Sequence, residues 1–502
     1  MKPDGKNILI FSDGTGQIGG LRPDQRLTNI YKMYRAMRPG PDSPIAPSQQ
    51  VAIYDAGLGT EADGWFKRIK NTAAAALGSG IDENIIDCYA AIIAHYEPGD
   101  RIFLFGFSRG AYTVRALANV MYLCGVPQHD GDDKPVPKKG PRLRKIATDA
   151  VKYVYNHTAG TARNDKSAAR YQHERAIKAE RFRDKYGAHA VPGPDGEPIK
   201  PKPVFVGVFD TVAALNNRLA VALAFAVLAA LLAGAVSAWL YCSIWIAIGM
   251  TAIAAAVGLA VIRLWSSFWK YFIADPYRHV SFWNPLDWPV IWRSGHLAIW
   301  TGTNFDTFVD RDIRFLRHAQ SIDEDRKSFA RVGWAHSNDV DWHNDHGRPD
   351  WLRQIWFAGN HSDIGGSYPE LESRLSDITL EWMLGELEAA MPGVVQKRDD
   401  LLYTWPDHRG LQHDERLAIL LRQPGWMRRL THDRLTWPRA SRAIDDNAPL
   451  DESVRARAEA PAVPYLNAMR AYRPLVLRGH RVFKRFFSQD NIQSSRDTRA
   501  TR

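Results

Sequence analysis

The sequence predicts an α/β protein with three layers, in which a parallel sheet lies between helices, and two observations support this fold class. Short apolar segments of strand character alternate with helical segments along the chain. The polar residues best suited to chemistry come directly after apolar strands, which is where parallel sheets bind their ligands. A chain of 502 residues is long enough for one large domain with insertions or for two or three smaller domains.

The first half of the chain supplies the alternating elements in order. Residues 6–11 are an apolar run that predicts a buried strand, and residues 51–54 are a candidate second strand. Residues 72–96 have helical periodicity and end at a Glu-Pro-Gly sequence, which stops helices. Residues 101–105 then predict another strand, followed by the helical stretch 111–118.

Ser108 lies between this last strand and helix, in the sequence Gly106-Phe107-Ser108-Arg109-Gly110. The glycines of a G-x-S-x-G motif permit a sharp turn that exposes the serine oxygen above a sheet. The strand before it and the helix after it favour a catalytic nucleophile over the alternative, a structural glycine–serine turn.

Two later residues complete the set that an activated serine needs. A serine hydroxyl requires an imidazole to accept its proton and a carboxylate to orient that imidazole. Asp210 follows the apolar segment 204–209, and His361 follows the apolar segment 353–358. The order serine, acid, histidine is that of α/β-hydrolases, and a parallel sheet would bring all three residues to one edge. We therefore predict Ser108 as the nucleophile, His361 as the general base and Asp210 as the orienting acid.

The oxyanion of the tetrahedral intermediate also needs hydrogen-bond donors. One is expected from the backbone N–H of Arg109, and another from the loop after the first strand, at Gly14 and Thr15. Asp13 in this loop is a secondary candidate for the site. The loop resembles the Asp-x-Asp-Gly-Thr pattern of phosphatases, but Phe11 stands where their nucleophilic aspartate would be. Phosphoryl transfer through an aspartate is therefore excluded.

Other interpretations of these residues remain open at this point. Asp210 could cap the segment that follows it. His318 is the main rival to His361 as the base. Asp363, two residues after His361, could support that histidine or cap a helix.

Residues 219–262 are 44 consecutive residues without a charge, bounded by Arg218 and Arg263. A membrane span needs about 20 apolar residues, so this length predicts two transmembrane helices joined by a turn near residues 239–243. The two arginines and Lys270 would place both ends on the cytoplasmic side. The alternative is a buried, alanine-rich helical hairpin. An aromatic-rich segment follows, which suits either lipid head groups or a packed core.

The composition limits which cofactors and partners we expect for this protein. Three cysteines, Cys88, Cys124 and Cys242, cannot form a disulfide framework and lack the spacing of metal ligands, and we predict no metal and no cofactor. The net charge of +10 comes from basic residues scattered among 55 acidic ones, which does not favour nucleic acid. Attraction to anionic lipids accounts for the charge equally well. The N-terminus predicts no cleavable signal peptide.

Several motifs resemble a known family. They are residues 12–16, 54–60, 106–112 and 207–212, His318 with 322–324, and 359–366 with Tyr368. Together they resemble the uncharacterised α/β-hydrolase family that includes the first class of type VI secretion lipase effectors. The resemblance implies phospholipase activity, with Ser108 as nucleophile, Asp210 as orienting acid and His361 as base.

These observations predict an α/β-hydrolase fold with helical insertions, divided along the chain as follows: 1–217 as the first part of the hydrolase domain, with a polar cap at about 128–203; 218–263 as a membrane-anchoring apolar hairpin; 264–310 as an interfacial segment; 311–395 as the second part of the hydrolase domain; 396–487 as an accessory region; and 488–502 as a disordered tail.

The predicted activity is that of a serine phospholipase A, which cleaves an acyl ester of a membrane phospholipid through an acyl-enzyme. As an effector, it would have type VI secretion components and an immunity protein as partners, and would act in a target cell. As a resident enzyme, it would sit on a lipid bilayer with its catalytic domain on the cytoplasmic side. The alternatives are a membrane esterase or thioesterase acting on non-lipid acyl groups, and a non-catalytic pore-forming protein.

Overall fold

The computed structural model describes residues 5–14, 26–56, 79–161, 165–192, 198–212, 218–241, 243–275, 278, 280–281, 284–300, 306–335 and 337–487. Its strands are β1 Asn7–Ser12, β2 Gln50–Asp55, β3 Arg101–Phe107, β4 Val191–Pro192, β5 Pro198–Ile199, β6 Pro203–Phe209, β7 Trp269–Tyr271, β8 Gly295–Leu297, β9 Phe315–Ser321, β10 Leu352–Phe357, β11 Val463–Tyr465 and β12 Ala468–Arg470.

The α-helices are Asn29–Met37, Ser79–His95, Arg109–Cys124, Pro141–Thr148, Ala168–Tyr186, Arg218–Tyr241, Ile244–Phe268, Trp288–Ser294, Ser337–Asp345, His361–Gly365, Arg374–Ala390, Glu415–Arg422, Gly425–Thr431 and Glu452–Glu459. A π-helical turn covers Asp149–Val154, and 3₁₀ turns cover Tyr155–Thr158, Pro285–Asp287, Lys327–Phe329, Glu370–Glu372, Asp399–Leu401 and Leu475–Leu477.

The central sheet has six strands in the order β10-β9-β6-β3-β1-β2, and all of its pairings are parallel. The predicted α/β fold with a parallel sheet is confirmed. Strand β9 was not predicted, because its sequence, Phe-Leu-Arg-His-Ala-Gln-Ser, is largely polar although it is buried. It separates β6 from β10, and it therefore lies between the strands that precede Asp210 and His361.

Helices cover both faces of the sheet. Alternate residues of β1 enter two different cores, because successive side chains of a strand point to opposite faces. One core is closed by the helices Ser79–His95 and Arg109–Cys124. The other is closed by Asn29–Met37 and Arg374–Ala390. The sheet edge that carries the carboxyl ends of the strands is left for the site.

The polar segment after residue 128 contributes to the first of these cores. The helices Pro141–Thr148 and Ala168–Tyr186 place apolar side chains such as Ile146 and Phe182 against the helices of that face. A hydrophobic stripe on an otherwise charged helix accounts for this packing. The segment is thus a helical layer with a buried inner face.

Two long helices, Arg218–Tyr241 and Ile244–Phe268, account for the apolar segment and pack against each other. The prediction that they span a membrane is not supported. Across the parts of the chain that the structure describes, no helix combines the length and the apolar character that crossing a membrane requires.

The aromatic-rich segment after these helices is partly packed. Strands β7 and β8 pair antiparallel within it, Trp269 contacts Trp292 (ring centroids 4.6 Å apart), and Trp300 packs on Tyr155 (5.6 Å). Three of its aromatic residues, at positions 277, 282 and 283, and the tail 488–502 lie outside the described residues.

The C-terminal region, residues 396–487, packs on the sheet edge formed by β9 and β10. A third core joins Ile322 and Trp356 from that edge to Val454, Leu477 and Phe483. All five side chains are buried. The region is therefore joined to the sheet by a hydrophobic interface, and it lies beside the loops that follow β9 and β10.

Candidate active site

Ser108 is the residue that turns the chain from β3 into the helix Arg109–Cys124. Its backbone has φ 60° and ψ −121°, a conformation that L-residues with side chains rarely adopt. Backbone N–H of Ser108 donates to the carbonyl of Phe209 at the end of the neighbouring strand (3.2 Å). The turn is therefore fixed to the strand that leads to Asp210.

The two glycines of the motif are required by close backbone packing. A Cβ atom at Gly106 would lie 2.4 Å from the carbonyl oxygen of Gly110, and one at Gly110 would lie 2.1 Å from that of Ser12. Both distances are shorter than any van der Waals contact, so a side chain at either position would displace the turn. This explains why the sequence has glycine on both sides of the serine.

Asp210 and His361 come together as the sequence predicted. Nδ1 of His361 and Oδ2 of Asp210 are 2.5 Å apart, and both side chains are buried. Nε2 of His361 is buried and has no hydrogen-bond partner among the described residues. The ring stacks on Phe107, the neighbour of Ser108, with ring centroids 4.7 Å apart. Nε2, which has no partner in the described part of the chain, therefore belongs to an imidazole ring that packs against the turn at Ser108.

Arg442 forms a bidentate ion pair with Asp210, and no motif in the sequence predicts it. Its Nη1 donates to Oδ1 and its Nη2 to Oδ2, the latter at 2.9 Å. The backbone N–H of Ser321 also donates to Oδ1 (3.0 Å). Burial would raise the pKa of Asp210, but the charge of Arg442 and the bond from His361 outweigh it and hold that pKa well below its usual range. Asp210 is thus an ionised acceptor whose described contacts are with Ser321, His361 and Arg442; residues 213–217, which it would cap, lie outside the described residues.

The backbone of His361 is also held by charged groups. Its N–H donates to Oε2 of Glu324 (3.3 Å), and Glu324 is paired with Arg326 (2.7 Å). The Arg326 guanidinium lies 3.6 Å above the ring of Phe329, and that ring packs edge-on against the imidazole (5.0 Å). The turn after β9 thus fixes the position of the histidine.

The three residues predicted to donate to the oxyanion differ in their positions and hydrogen bonds. Arg109 is the first residue of its helix, where backbone N–H groups have no partner within the helix. Gly14 lies against Ser108, since a Cβ atom at Gly14 would be 3.3 Å from Cβ of Ser108. However, the N–H of Gly14 donates to Oδ1 of its neighbour Asp13 (2.7 Å). Thr15 lies outside the described residues.

Asp13 anchors the loop beside the serine. Its Oδ2 accepts hydrogen bonds from Thr28 (2.5 Å) and Tyr54 (2.8 Å). Burial raises the pKa of Asp13 to about 6, although these donors and Gly14 oppose the rise. Asp13 therefore holds the loop rather than pointing at Ser108 with free acceptor atoms.

His318 is buried on β9 with both ring nitrogens engaged. Nε2 accepts from the backbone N–H of Thr211 (3.3 Å), and Nδ1 faces Oε1 of Gln354 (3.2 Å). Burial, with the nearby charges of Arg115 and Arg331, holds the pKa of His318 well below its usual value. In this arrangement it supports the residue after Asp210 and has no free nitrogen for a serine.

Asp363 caps the short helix that begins at His361. Its Oδ2 accepts from the N–H of Asn360 (3.0 Å), and the side chain of Asn360 caps the helix in return. Its Oδ1 lies 2.7 Å from Nδ1 of His413, whose ring stacks on Tyr368 (3.5 Å). Burial would lower the pKa of His413, but its bond to Asp363 prevails and raises it. This contact between His413 and Asp363 is the second one that the C-terminal region makes with the site, and it was also not predicted from the sequence.

Among the described residues, His157, Glu174 and His296 are the cluster with metal-ligand chemistry, with their ligand atoms within 4.8 Å of one another. Nε2 of His157 contacts Glu174 (2.8 Å), and its Nδ1 contacts the Nζ of Lys178 (3.0 Å). Nε2 of His296 donates to the carbonyl of His157 (2.8 Å). Because the amine of Lys178 borders the cluster, we interpret it as a buried hydrogen-bond network on elements away from Ser108.

A match to a family model establishes the family that the motifs indicated. The model of the catalytic domain of Tle1-like phospholipase effectors of the type VI secretion system matches residues 6–230 and 285–386. These residues are well over half of the chain and contain the serine, the aspartate and the histidine described above. The chain belongs to this family. The segment 231–284 and the region after 386, which supplies Arg442, lie outside the match.

Two further proteins are similar to parts of the chain. An uncharacterised protein of Saccharomyces cerevisiae is 33% identical over 131 residues, which are 24% of this chain and 18% of that protein. The chain therefore matches less than a fifth of the length of this relative. The crystal structure of an uncharacterised protein from Pseudomonas aeruginosa covers 81% of this chain and 49% of its own, with 14% identity and a TM-score of 0.34.

Proposed function

We propose that this member of the Tle1-like family is a serine hydrolase that cleaves an acyl ester of a phospholipid through an acyl-enzyme. The observation that carries the proposal is the pair of Asp210 and His361, whose free Nε2 belongs to a ring stacked beside the strained turn of Ser108. Membership in a family of phospholipase effectors supports the choice of substrate.

In the first half of the reaction, Oγ of Ser108 attacks the ester carbonyl while Nε2 of His361 takes its proton. The Nδ1–H of the ring donates to Asp210, which stabilises the charged imidazolium. The tetrahedral intermediate then collapses, the acyl–oxygen bond of the lipid breaks, and Nε2 returns the proton to the departing lysophospholipid alkoxide. The backbone N–H of Arg109 would stabilise the oxyanion, as expected for the residue after the nucleophile.

In the second half, water replaces the alcohol. His361 removes a proton from water, the hydroxide attacks the acyl carbon, and Ser108 leaves with the proton that Nε2 returns. The products are a free fatty acid and the unmodified enzyme. The second oxyanion donor belongs to the loop after β1, where the N–H of Gly14 would have to leave Asp13 before it could donate.

The test is fatty-acid release from phosphatidylethanolamine and phosphatidylglycerol vesicles by the wild type and by Ser108→Ala. We expect release by the wild type, a loss of at least about 10³-fold in the variant, and labelling of the wild type alone by a fluorophosphonate. Equal activity in both proteins would overturn the serine mechanism. Wild-type hydrolysis of short soluble esters without any vesicle hydrolysis would overturn the lipid substrate.

The delivery of the protein as a type VI secretion effector is part of the same proposal, and it rests on the family match. We expect bacteria that produce the wild type without a cognate immunity protein to stop growing, and those that produce Ser108→Ala to grow normally. Normal growth with an active wild-type enzyme present in the target compartment would contradict an antibacterial role.

A further inference from the structure

Arg442 is a buried cation that reaches the site from outside the family match. Its side chain is 3% exposed, and Asp210 is 1% exposed. Both terminal nitrogens of the Arg442 guanidinium donate to the carboxylate of Asp210, with Nη2 and Oδ2 2.9 Å apart. Nη1 also donates to the carbonyl of Ser321 and Nη2 to that of Phe329, each at 3.1 Å. The guanidinium thus joins the aspartate to the turns that follow β9.

We propose that Arg442 is a positioning residue, which holds the Asp210 carboxylate in the orientation that presents Oδ2 to Nδ1 of His361. This inference rests on the proposed serine mechanism and extends it. Oδ1 accepts from Ser321 and Arg442, and Oδ2 accepts from Arg442 and His361. Because both oxygens are bonded on two sides, the carboxylate cannot rotate away from the imidazole without breaking several charged bonds.

The other ionisable groups around the pair do not duplicate this role. Glu324 is neutralised by Arg326 and faces the backbone N–H of His361. Among the described residues, two further ionisable side chains lie near the pair. Both ring nitrogens of His318 are hydrogen-bonded, and Arg331 donates to Gln320.

A segment of irregular backbone places Arg442. The N–H of Ala440 donates to the carbonyl of Asp325 (2.7 Å), and Arg439 forms an isolated bridge with Arg326. The segment therefore runs beside the turn that supports His361. From this direction the guanidinium reaches both oxygens of Asp210, and it shares Oδ2 with Nδ1 of His361.

The test compares Arg442→Gln and Arg442→Lys with a matched control, Arg457→Gln. Arg457 is fully buried in the same region, but it donates to backbone carbonyls at His408 and Gly410 and has no contact with the triad. We measure kcat and KM on a soluble ester, the temperature of thermal unfolding, and the proton NMR signal of the His361 Nδ1–H.

We expect Arg442→Gln to lower kcat by about 100-fold with little change in KM, because the orientation of the base is lost. The Nδ1–H signal should shift, because the carboxylate that accepts this proton is no longer held in one orientation. Arg442→Lys should restore part of kcat and bring the Nδ1–H signal back toward its wild-type position. Arg457→Gln should lower the unfolding temperature while kcat and the NMR signal stay unchanged.

The inference is overturned if Arg442→Gln, or Arg442→Lys where the glutamine variant does not fold, keeps the wild-type kcat and the wild-type Nδ1–H signal. The failure of the serine mechanism itself would be seen separately, as activity that survives Ser108→Ala.

Discussion

At the scale of single residues, the candidate site depends on an aspartate that is bonded from several sides. Asp210→Asn removes its charge and leaves Arg442 buried beside a neutral amide. We expect activity to fall by about 10³- to 10⁴-fold, because the imidazolium loses its partner. Urea unfolding should show a loss of about 3–5 kcal/mol, since one partner of a buried ion pair is removed.

The double variant Asp210→Asn, Arg442→Met is the control for that prediction. Removal of the unpaired charge should return part of the stability, whereas activity should stay as low as in Asp210→Asn. A single Asp210→Asn variant that is as stable as the wild type would contradict the ion pair.

Asp13 predicts a pH dependence of stability with a defined sign. Burial raises its pKa to about 6 from an ordinary value of 3.8. The folded state therefore holds this proton more tightly than the unfolded chain, so the stability that it contributes is complete below about pH 4 and is lost as the pH rises through 6. The loss should approach about 3 kcal/mol.

The measurement compares urea unfolding of the wild type and Asp13→Asn between pH 4 and pH 7. The variant cannot titrate at this position, so its stability should fall less over this range, and the difference between the two proteins isolates Asp13. Parallel curves for the two proteins would show that the residue does not titrate in this range.

At the scale of secondary-structure elements, the turn between β3 and its helix depends on close backbone packing. Gly110→Ala should destabilise the protein and abolish serine labelling, because its Cβ atom would lie 2.1 Å from the carbonyl oxygen of Ser12. The matched control is Gly385→Ala, in the helix Arg374–Ala390, where nothing lies within 4 Å of the added atom.

The control should raise stability by about 0.5–1 kcal/mol, because alanine is the better helix former. Both variants are read by fluorophosphonate labelling and thermal unfolding. Unchanged labelling in Gly110→Ala would mean that the turn can be built without a close approach of β1.

Strand β9 illustrates why element prediction was incomplete. Apolar runs identified the other strands of the central sheet, but β9 buries Arg317, His318 and Gln320 by pairing each with a polar partner: Glu386, Gln354 and Arg331. Hydrophobic periodicity cannot detect a strand whose buried side chains are polar. The hydrogen-bond partners of His318, which make it a structural residue, likewise could not be predicted from a single sequence.

At the scale of the whole molecule, the C-terminal region covers one end of the sheet and supplies Arg442 and His413 to the site. A chain that ends at residue 395 would expose the apolar interface of Ile322 and Trp356 and leave Asp210 without its guanidinium. We expect this truncated protein to be aggregated or unlabelled by a fluorophosphonate, because large buried apolar side chains stabilise the folded state by several kcal/mol.

The comparison is a protein in which residues 219–262 are replaced by a short glycine–serine linker. The two helices of this segment pack mainly on each other, so this deletion should keep the fold and the hydrolysis of soluble esters. Full labelling of the chain that ends at 395 would contradict the dependence of the site on the C-terminal region.

The sequence by itself determined the parallel α/β sheet and the sharp strand-to-helix turn at Ser108, and it put Ser108, Asp210 and His361 in that order after strands of the sheet. These features depend on local patterns, namely apolar strands, glycines at fixed offsets and polar residues at strand ends. It also indicated the family. The length of an uncharged segment, by contrast, predicted a membrane span that the structure does not support.

Only the tertiary structure decided which charged groups contact Asp210 and His361. Arg442 is 232 residues from Asp210 in the chain, and it stands among other arginines in a region without a motif. Pairing at that separation depends on how the C-terminal core docks on β9 and β10, and docking leaves no periodic signal in the sequence. Ser108, the proposed nucleophile, could therefore be recognised from its neighbours in the chain, whereas Arg442, the partner of Asp210, could be found only from the folded arrangement.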